Sequence, residues 1–236
     1  MAPTTLIIKA GQKLACLADT TGDFEDWIAT GLGPDAGAVD VVDVRGEATL
    51  PLPGSCGRVL VTGSAAMVTD REPWAEATAA WLRDSVALGT QVLGICFGHQ
   101  LLAHALGGRV GTNPSGVEVG TVTVELTDAA RDDPLLGGLP ERFEANMSHR
   151  QSVLELPSGA IRLATTEADP YAAFAFGGNA WGVQFHPEFD ATVTRAHVDW
   201  YRPALLEIGA NADELMENSW NTPISHGLLS RFAQIS

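Results

Sequence analysis

A rhythm constrains this chain more than any single residue. Short β-branched and aliphatic runs alternate with segments whose apolar residues recur at helical spacing. Residues 5–8 are expected as a strand, followed by a helical stretch ending near Leu32-Gly33-Pro34. Residues 38–44 and 58–62 read as further strands, each apolar on both faces as in a covered parallel sheet. Over 73–88 the apolar residues Trp74, Ala77, Trp81, Leu82 and Val86 predict a helix. A strand over 90–95 then runs straight into a helix over 98–106, closed by Gly107-Gly108. Strand–helix alternation of this kind implies an α/β fold: a doubly wound, mostly parallel central sheet with right-handed crossovers and flanking helices.

The middle of the chain changes character. Residues 118–126, 143–147, 152–156, 161–166, 172–176 and 180–185 are short strand candidates, and Gly177-Gly178-Asn179 suggests a hairpin between the last two. This predicts a small antiparallel section. Beyond Phe189 the pattern is helical again. Val198, Tyr201, Leu205 and Ile208 recur, and Pro203 is placed to kink the helix. Thr222-Pro223 has the form of an N-cap with proline at the first position, opening a last helix that carries Ile224, Leu228 and Phe232. With no repeat, linker or charge block to divide it, the span 1–236 reads as one domain. At 236 residues and 45% hydrophobic, it can bury a core without disulfide or metal staples.

Fourteen basic residues against 29 acidic ones give a net charge of −15, with no basic run. Such a surface repels phosphate backbones and anionic lipid, so neither a nucleic-acid nor a membrane partner is expected. A local cationic patch can still sit within that total. No segment approaches the roughly 18 uninterrupted apolar residues of a membrane span, and the N-terminus lacks the basic region of a secretory signal. Cys16, Cys56 and Cys96 are odd in number and scattered, which implies no disulfide framework. A cytoplasmic protein of a reducing compartment is the expectation.

Chemistry concentrates at Gly94-Ile95-Cys96-Phe97-Gly98, where strand meets helix. Glycine two residues either side of a candidate nucleophile permits a tight elbow, because a Cβ at either place would crowd the turn. The elbow would present the Cys96 sulfur at a helix N-terminus, whose partial positive charge favours thiolate. A free thiol, with a pKa of about 8.5, is only a few per cent ionised at neutral pH. A nucleophilic cysteine also needs a base and a group to orient that base. Of the six histidines, His186 ends an apolar strand and is followed by Pro187-Glu188. Strand ends of a parallel sheet gather at its carboxyl edge, where Cys96 is also expected. Glu188 can reach back to fix the imidazole tautomer, and the intervening proline stiffens the turn.

Gly-Ile-Cys-Phe-Gly-His-Gln followed ninety residues later by Val-Gln-Phe-His-Pro-Glu resembles the class I (triad) glutamine amidotransferases. Val61-Thr-Gly-Ser-Ala, the Gly-Thr-Val-Thr-Val-Glu-Leu-Thr segment ending at Thr127, and Asn146-Met-Ser-His149 carry the resemblance across nearly the whole chain. Gly22-Asp-Phe-Glu-Asp-Trp27 is similar to the free-standing, GMP-synthase-like branch, which includes γ-glutamyl peptidases. The resemblance implies a flavodoxin-like fold and the following roles. Cys96 attacks the side-chain amide carbon of glutamine, giving a γ-glutamyl thioester and ammonia. His186 shuttles the proton and Glu188 orients it. The oxyanion is held by backbone N–H groups of Phe97 and of the Gly63-Ser64 turn. Many relatives carry Gly-Gly-Pro at that turn, so Ser64-Ala65 raises a question about its flexibility and any positive φ. Gln100 recognises the substrate head group, and the backbone at Ser148 and His149 meets its amino and carboxylate groups.

The resemblance also allows a separate synthetase subunit as partner, since no phosphate-binding Gly-x-x-x-x-Gly-Lys sequence is present. No cofactor is implied. No metal is expected either, because His99 and His104 are five apart on a helix and no second pair completes a site with Cys96 and His99. Two further readings stand beside the amidotransferase: a stand-alone γ-glutamyl hydrolase or peptidase, and a non-catalytic binding module on the same fold. Related intracellular peptidases with Cys-His in direct succession are set aside, since Phe97 follows Cys96.

Overall fold

The computed structural model describes residues 4–235, so the opening Met-Ala-Pro on which the reading of the N-terminus rests lies outside the described residues. Five strands, β1 (Thr5–Lys9), β2 (Val39–Asp43), β3 (Arg58–Val61), β4 (Gln91–Ile95) and β11 (Ala180–Val183), lie in the order β2-β1-β3-β4-β11 and run parallel. The same sheet continues antiparallel through β10 (Ala173–Phe176), β9 (Ile161–Thr165), β6 (Glu118–Leu126) and β7 (Arg142–His149). The antiparallel section expected from the middle of the chain is therefore an extension of the central sheet. A two-stranded ribbon pairs β5 (Arg109–Thr112) with β8 (Gln151–Glu155). The sequence reading had no strand at β5, whose side chains are half exposed and give no two-faced apolar signal.

Alternation along the inner strands splits the core between the two faces. Ile7, Leu60 and Leu93 point to one side, where α1 (Phe24–Leu32) and α7 (Pro223–Gln234) cover them through Ile28, Leu32, Leu228 and Phe232. Leu6, Ile8, Val59 and Val92 point to the other, under α2 (Pro73–Ala87) and α3 (Phe97–Ala105). Strands buried on both faces must be apolar along their buried length, as Leu6–Ile8 of β1, Val59–Val61 of β3, Val92–Ile95 of β4 and all of β11 are. The expectation of two apolar faces fails for residues 38–44. β2 is the sheet edge, with Asp40 and Val41 exposed, because it has only one neighbouring strand. In α2 the buried stripe is Ala75, Thr78, Ala79, Leu82 and Val86 with Trp81, while Ala77 faces solvent.

The hairpin turn at Gly177-Gly178 is present, both glycines having positive φ, as a tight primed turn requires. Beyond the sheet, α4 (Ala191–Trp200) and α5 (Arg202–Glu207) are separate helices, parted where Pro203 enters the first turn of α5. A short α6 (Ala212–Glu217), absent from the sequence reading, packs Ala212 with Val119, Val198, Tyr201 and Leu205. Ile208, expected on the buried stripe, is exposed past the end of α5. Pro223 occupies the first turn of α7 as expected, but the Thr222 side chain makes no capping hydrogen bond, and Ile224 is partly exposed. Among the described residues no helix is long and apolar enough to cross a membrane.

Candidate active site

Two neighbouring parallel strands set the site. β4 and β11 are in register with Ile95 opposite Val183, and the Cys96 N–H donates to the Val183 carbonyl at 2.9 Å. The residue that ends one strand and the turn that follows the other therefore share the carboxyl edge of the sheet. Cys96 has φ 52° and ψ −103°, a conformation that costs a non-glycine residue of order 1–3 kcal/mol unless its surroundings hold it. They do so by close packing. A Cβ on Gly94 would lie 2.3 Å from the Gly98 carbonyl oxygen, and one on Gly98 would lie 2.4 Å from the Val61 carbonyl oxygen. Both obstacles are backbone, which explains the two glycines flanking the elbow. The helix begins at Phe97, one residue before the expected start, so the Phe97 N–H is the first amide of α3 and has no carbonyl ahead of it within the helix.

His186 Nδ1 donates to Glu188 Oε1 at 2.7 Å, and both side chains are buried, at 3% and 0% exposure. The imidazole is stacked on Phe189 at 3.8 Å with planes 11° apart, and Phe24 of α1 closes on it at 6.4 Å. Burial acts to lower the proton affinity of His186. The charges at Glu188 and Cys96 outweigh it, and the pKa is raised well above the usual imidazole value. Such a group contributes stability that is fully present below the unfolded value near 6.5 and is lost as pH rises through the raised folded value. The Cys96 thiol also donates to the Ser148 carbonyl at 3.5 Å.

The turn after β3 faces the same ring. A Cβ on Gly63 would sit 2.8 Å from His186 Cε1, so the position is held by proximity to the imidazole. Neither Gly63, Ser64 nor Ala65 has positive φ. The question raised by the absence of Gly-Gly-Pro is thus answered, since Ser64 and Ala65 sit in ordinary backbone regions. Thr62 fastens the turn, accepting from Ala10 N–H and donating to the Gly63 carbonyl, both at 2.9 Å. The Ser64 hydroxyl accepts from Ala66 N–H. Between this turn and the start of α3 lies a small cleft walled by Ser64, Met67, Cys96, Gln100, Arg150 and Tyr201 among others.

Residues 37–198 match the class-I glutamine amidotransferase family. The chain belongs to that family. Over 147 residues it is 45% identical to the GMP synthase [glutamine-hydrolyzing] of Aeropyrum pernix, an alignment covering 62% of this chain and 26% of that one. The chain thus spans about a quarter of the length of this relative. Over 156 residues it is 30% identical to γ-glutamyl peptidase 5 of Arabidopsis thaliana, covering 61% of this chain and 62% of the relative. The fold is that of a glutamine amidotransferase from Thermotoga maritima, with TM-score 0.74 at 22% identity over 97% of this chain and 96% of that one.

Within this family member, the candidate substrate residues divide. Gln100 lines the cleft, yet its side-chain nitrogen is already donated to the Gln151 carbonyl at 2.6 Å and to Gln184 Oε1 at 2.9 Å. Its amide N–H groups are engaged inside the protein. Neither does it bond its own helical turn. The side chains of Ser148 and His149 likewise turn inward. Ser148 Oγ is bonded to His197 Nδ1 at 2.7 Å, and His149 Nε2 to Glu118 Oε2 at 2.8 Å. Burial acts to lower the pKa of His149, but the Glu118 bond and the charges of Glu118, Asp169 and Cys96 together raise it.

His197 and Glu118 are the supporting residues that sequence reasoning passed over. His197 packs against Phe189 at 4.8 Å, and burial, then the charge of His186, push its pKa down to about 3, so it is neutral. Its place on the apolar stripe of α4, one residue before Val198, was a readable signal. Glu118 was not readable, because its partnership depends on the β6–β7 register that sets it opposite His149. His99 and His104 lie away from the cleft: His99 is buried against Phe174 at 5.1 Å, and His104 bonds Glu76 at 3.1 Å.

Proposed function

We propose that this class I glutamine amidotransferase chain hydrolyses the side-chain amide of glutamine through a cysteinyl γ-glutamyl thioester, releasing ammonia. What supports the reading is the meeting of two neighbouring strand ends: Cys96 on a strained elbow after β4, and after β11 an imidazole held at 2.7 Å by a buried carboxylate. His186 takes the proton of the Cys96 thiol as Sγ attacks the amide carbon, and the γ-carbonyl oxygen takes negative charge. Backbone N–H groups of Phe97 and of the Gly63-Ser64 turn are the donors proposed for that oxyanion, each worth roughly 10²–10³ in rate. The imidazolium of His186 gives its proton to the departing ammonia, the C–N bond breaks and the thioester remains. His186, now neutral, takes a proton from water as the hydroxyl attacks the thioester carbon. Glutamate leaves and the sulfur is restored. Glu188 keeps the imidazole oriented and favours its charged form. The backbone at Ser148 and His149, its side chains tied back, faces the bound substrate, and Gln100 supports the wall of the cleft.

We take residues 1–236 as one amidotransferase domain, supported by the single sheet whose strands run from Thr5 to Val183. The chain supplies ammonia to a separate synthetase subunit in this reading, which rests on likeness to one region of larger GMP synthases. A stand-alone γ-glutamyl hydrolase is the second reading. It is favoured by the more even overlap with the plant γ-glutamyl peptidase, 61% of one chain and 62% of the other. A panel separates the two: glutamine, glutathione and γ-glutamyl dipeptides, with ammonia and glutamate both measured. Ammonia and glutamate in equal amounts from glutamine, at a rate above that from every dipeptide, support the amidotransferase. Faster glutamate release from the dipeptides selects the hydrolase.

A further inference from the structure

The cleft beside Cys96 has a charge unlike that of the chain around it. Although the protein carries 29 acidic residues, no Asp or Glu lines this cleft, and Arg150 does. Arg150 is the single residue linking β7 to β8, and the Asn113 N–H fastens its carbonyl at 2.9 Å. Its backbone is therefore fixed while its side chain is exposed. The guanidinium has no carboxylate or carbonyl partner among the described residues. Of the fourteen Lys and Arg side chains only Arg162, on distant β9, shares that condition. The other twelve bond a carboxylate or a backbone carbonyl. In a chain with a two-to-one excess of acid, a cation without a partner at the mouth of the nucleophile cleft indicates a partner that arrives with the substrate.

Tyr201 stands beside it. Its ring is buried at 7% exposure, its hydroxyl has no hydrogen-bond partner among the described residues, and it lines the cleft together with Cys96 and Arg150. A guanidinium fork and a phenolic O–H are together the donors that a planar carboxylate accepts.

We propose that Arg150, with Tyr201, is a specificity residue of this site that pairs with a free carboxylate of the substrate. The inference rests on the γ-glutamyl reading of the site and deepens it by naming the group recognised. That carboxylate has two sources: the α-carboxylate of the glutamyl group, or the carboxylate of an amino acid leaving from its γ-carbonyl. A charge-assisted pair of this kind corresponds to about a ten- to hundredfold change in kcat/KM.

The test compares the parent chain with Arg150→Gln and Arg150→Lys on two pairs of amides. Glutamine is set against 4-aminobutanamide, which lacks its carboxylate, and γ-glutamylglycine against γ-glutamylmethylamide, which lacks the second one. If the α-carboxylate is read, Arg150→Gln raises KM for glutamine with little change in kcat and removes the preference for glutamine over 4-aminobutanamide. If the leaving residue is read, glutamine kinetics hold and the preference for γ-glutamylglycine disappears. In either case Arg150→Lys, which keeps the charge without the fork, falls between parent and Arg150→Gln. A parent that cleaves these amides while Arg150→Gln keeps both preferences overturns the assignment of Arg150 alone. A parent that cleaves none of them sinks the γ-glutamyl reading, and this inference with it.

Discussion

Replacing Cys96 with alanine is expected to lower ammonia release from glutamine by at least about 10⁴-fold, since loss of a covalent nucleophile removes the pathway itself. Stability should change little, by about 1 kcal/mol or less. The reason lies in how the elbow is held. Gly94 and Gly98 make backbone-to-backbone approaches that do not involve the sulfur, and the Cys96 N–H bonds the Val183 carbonyl whatever the side chain. The thiol donation to Ser148 is lost, and at 3.5 Å it is weak, along with the part Cys96 plays in raising the His186 pKa. Urea melts of parent and variant check the fold, and a coupled ammonia assay checks the chemistry. Parent-like ammonia release from a folded Cys96→Ala chain would remove Cys96 from the mechanism.

Glu188→Gln is expected to cost about 10²- to 10⁴-fold in kcat, in line with removal of the carboxylate that orients a catalytic imidazole. The substitution keeps the shape of a side chain with no exposed surface and removes its charge. Burial then continues to lower the proton affinity of His186 while one of the two charges opposing it is gone. The imidazolium should therefore be lost at lower pH, and the limb of the rate profile that falls as pH rises should move in the acid direction. The stability His186 contributes at low pH should fade over a lower range too, since that contribution ends at the folded-state pKa. A profile unchanged in position, merely scaled down, would show that Glu188 acts only by packing.

The sequence made the parallel half of the fold legible because burial on both faces leaves an unmistakable apolar run, as at Leu6-Ile7-Ile8 and Val59-Leu60-Val61. It misled at residues 38–44, where the same residue types form an edge strand and the valines are partly exposed. It was silent at β5 and α6, which are short and owe their order to β8 and to the Val119–Tyr201 cluster. At the candidate site, the Cys96 elbow and the His186–Glu188 pair could be read because elbow glycines and a His-Pro-Glu just past an apolar strand are local signals. The ties of Gln100 to Gln151 and Gln184, of Ser148 to His197 and of His149 to Glu118 span 51, 84, 49 and 31 residues. No local pattern encodes contacts of that range. They exist only once the strand register is fixed, and they hold these side chains inside the protein.

The account stands most directly on whether the sulfur at the sheet edge is the group that meets a γ-glutamyl carbonyl. Intact-mass and peptide-mass analysis of the chain after reaction with a chloroketone analogue of glutamine tests this. One adduct is expected, at Cys96, suppressed by excess glutamine and strongly slowed in His186→Ala. Glutamine-protected labelling at exposed Cys16 or at Cys56 instead, or labelling of Cys96 that neither glutamine nor His186→Ala affects, would contradict it.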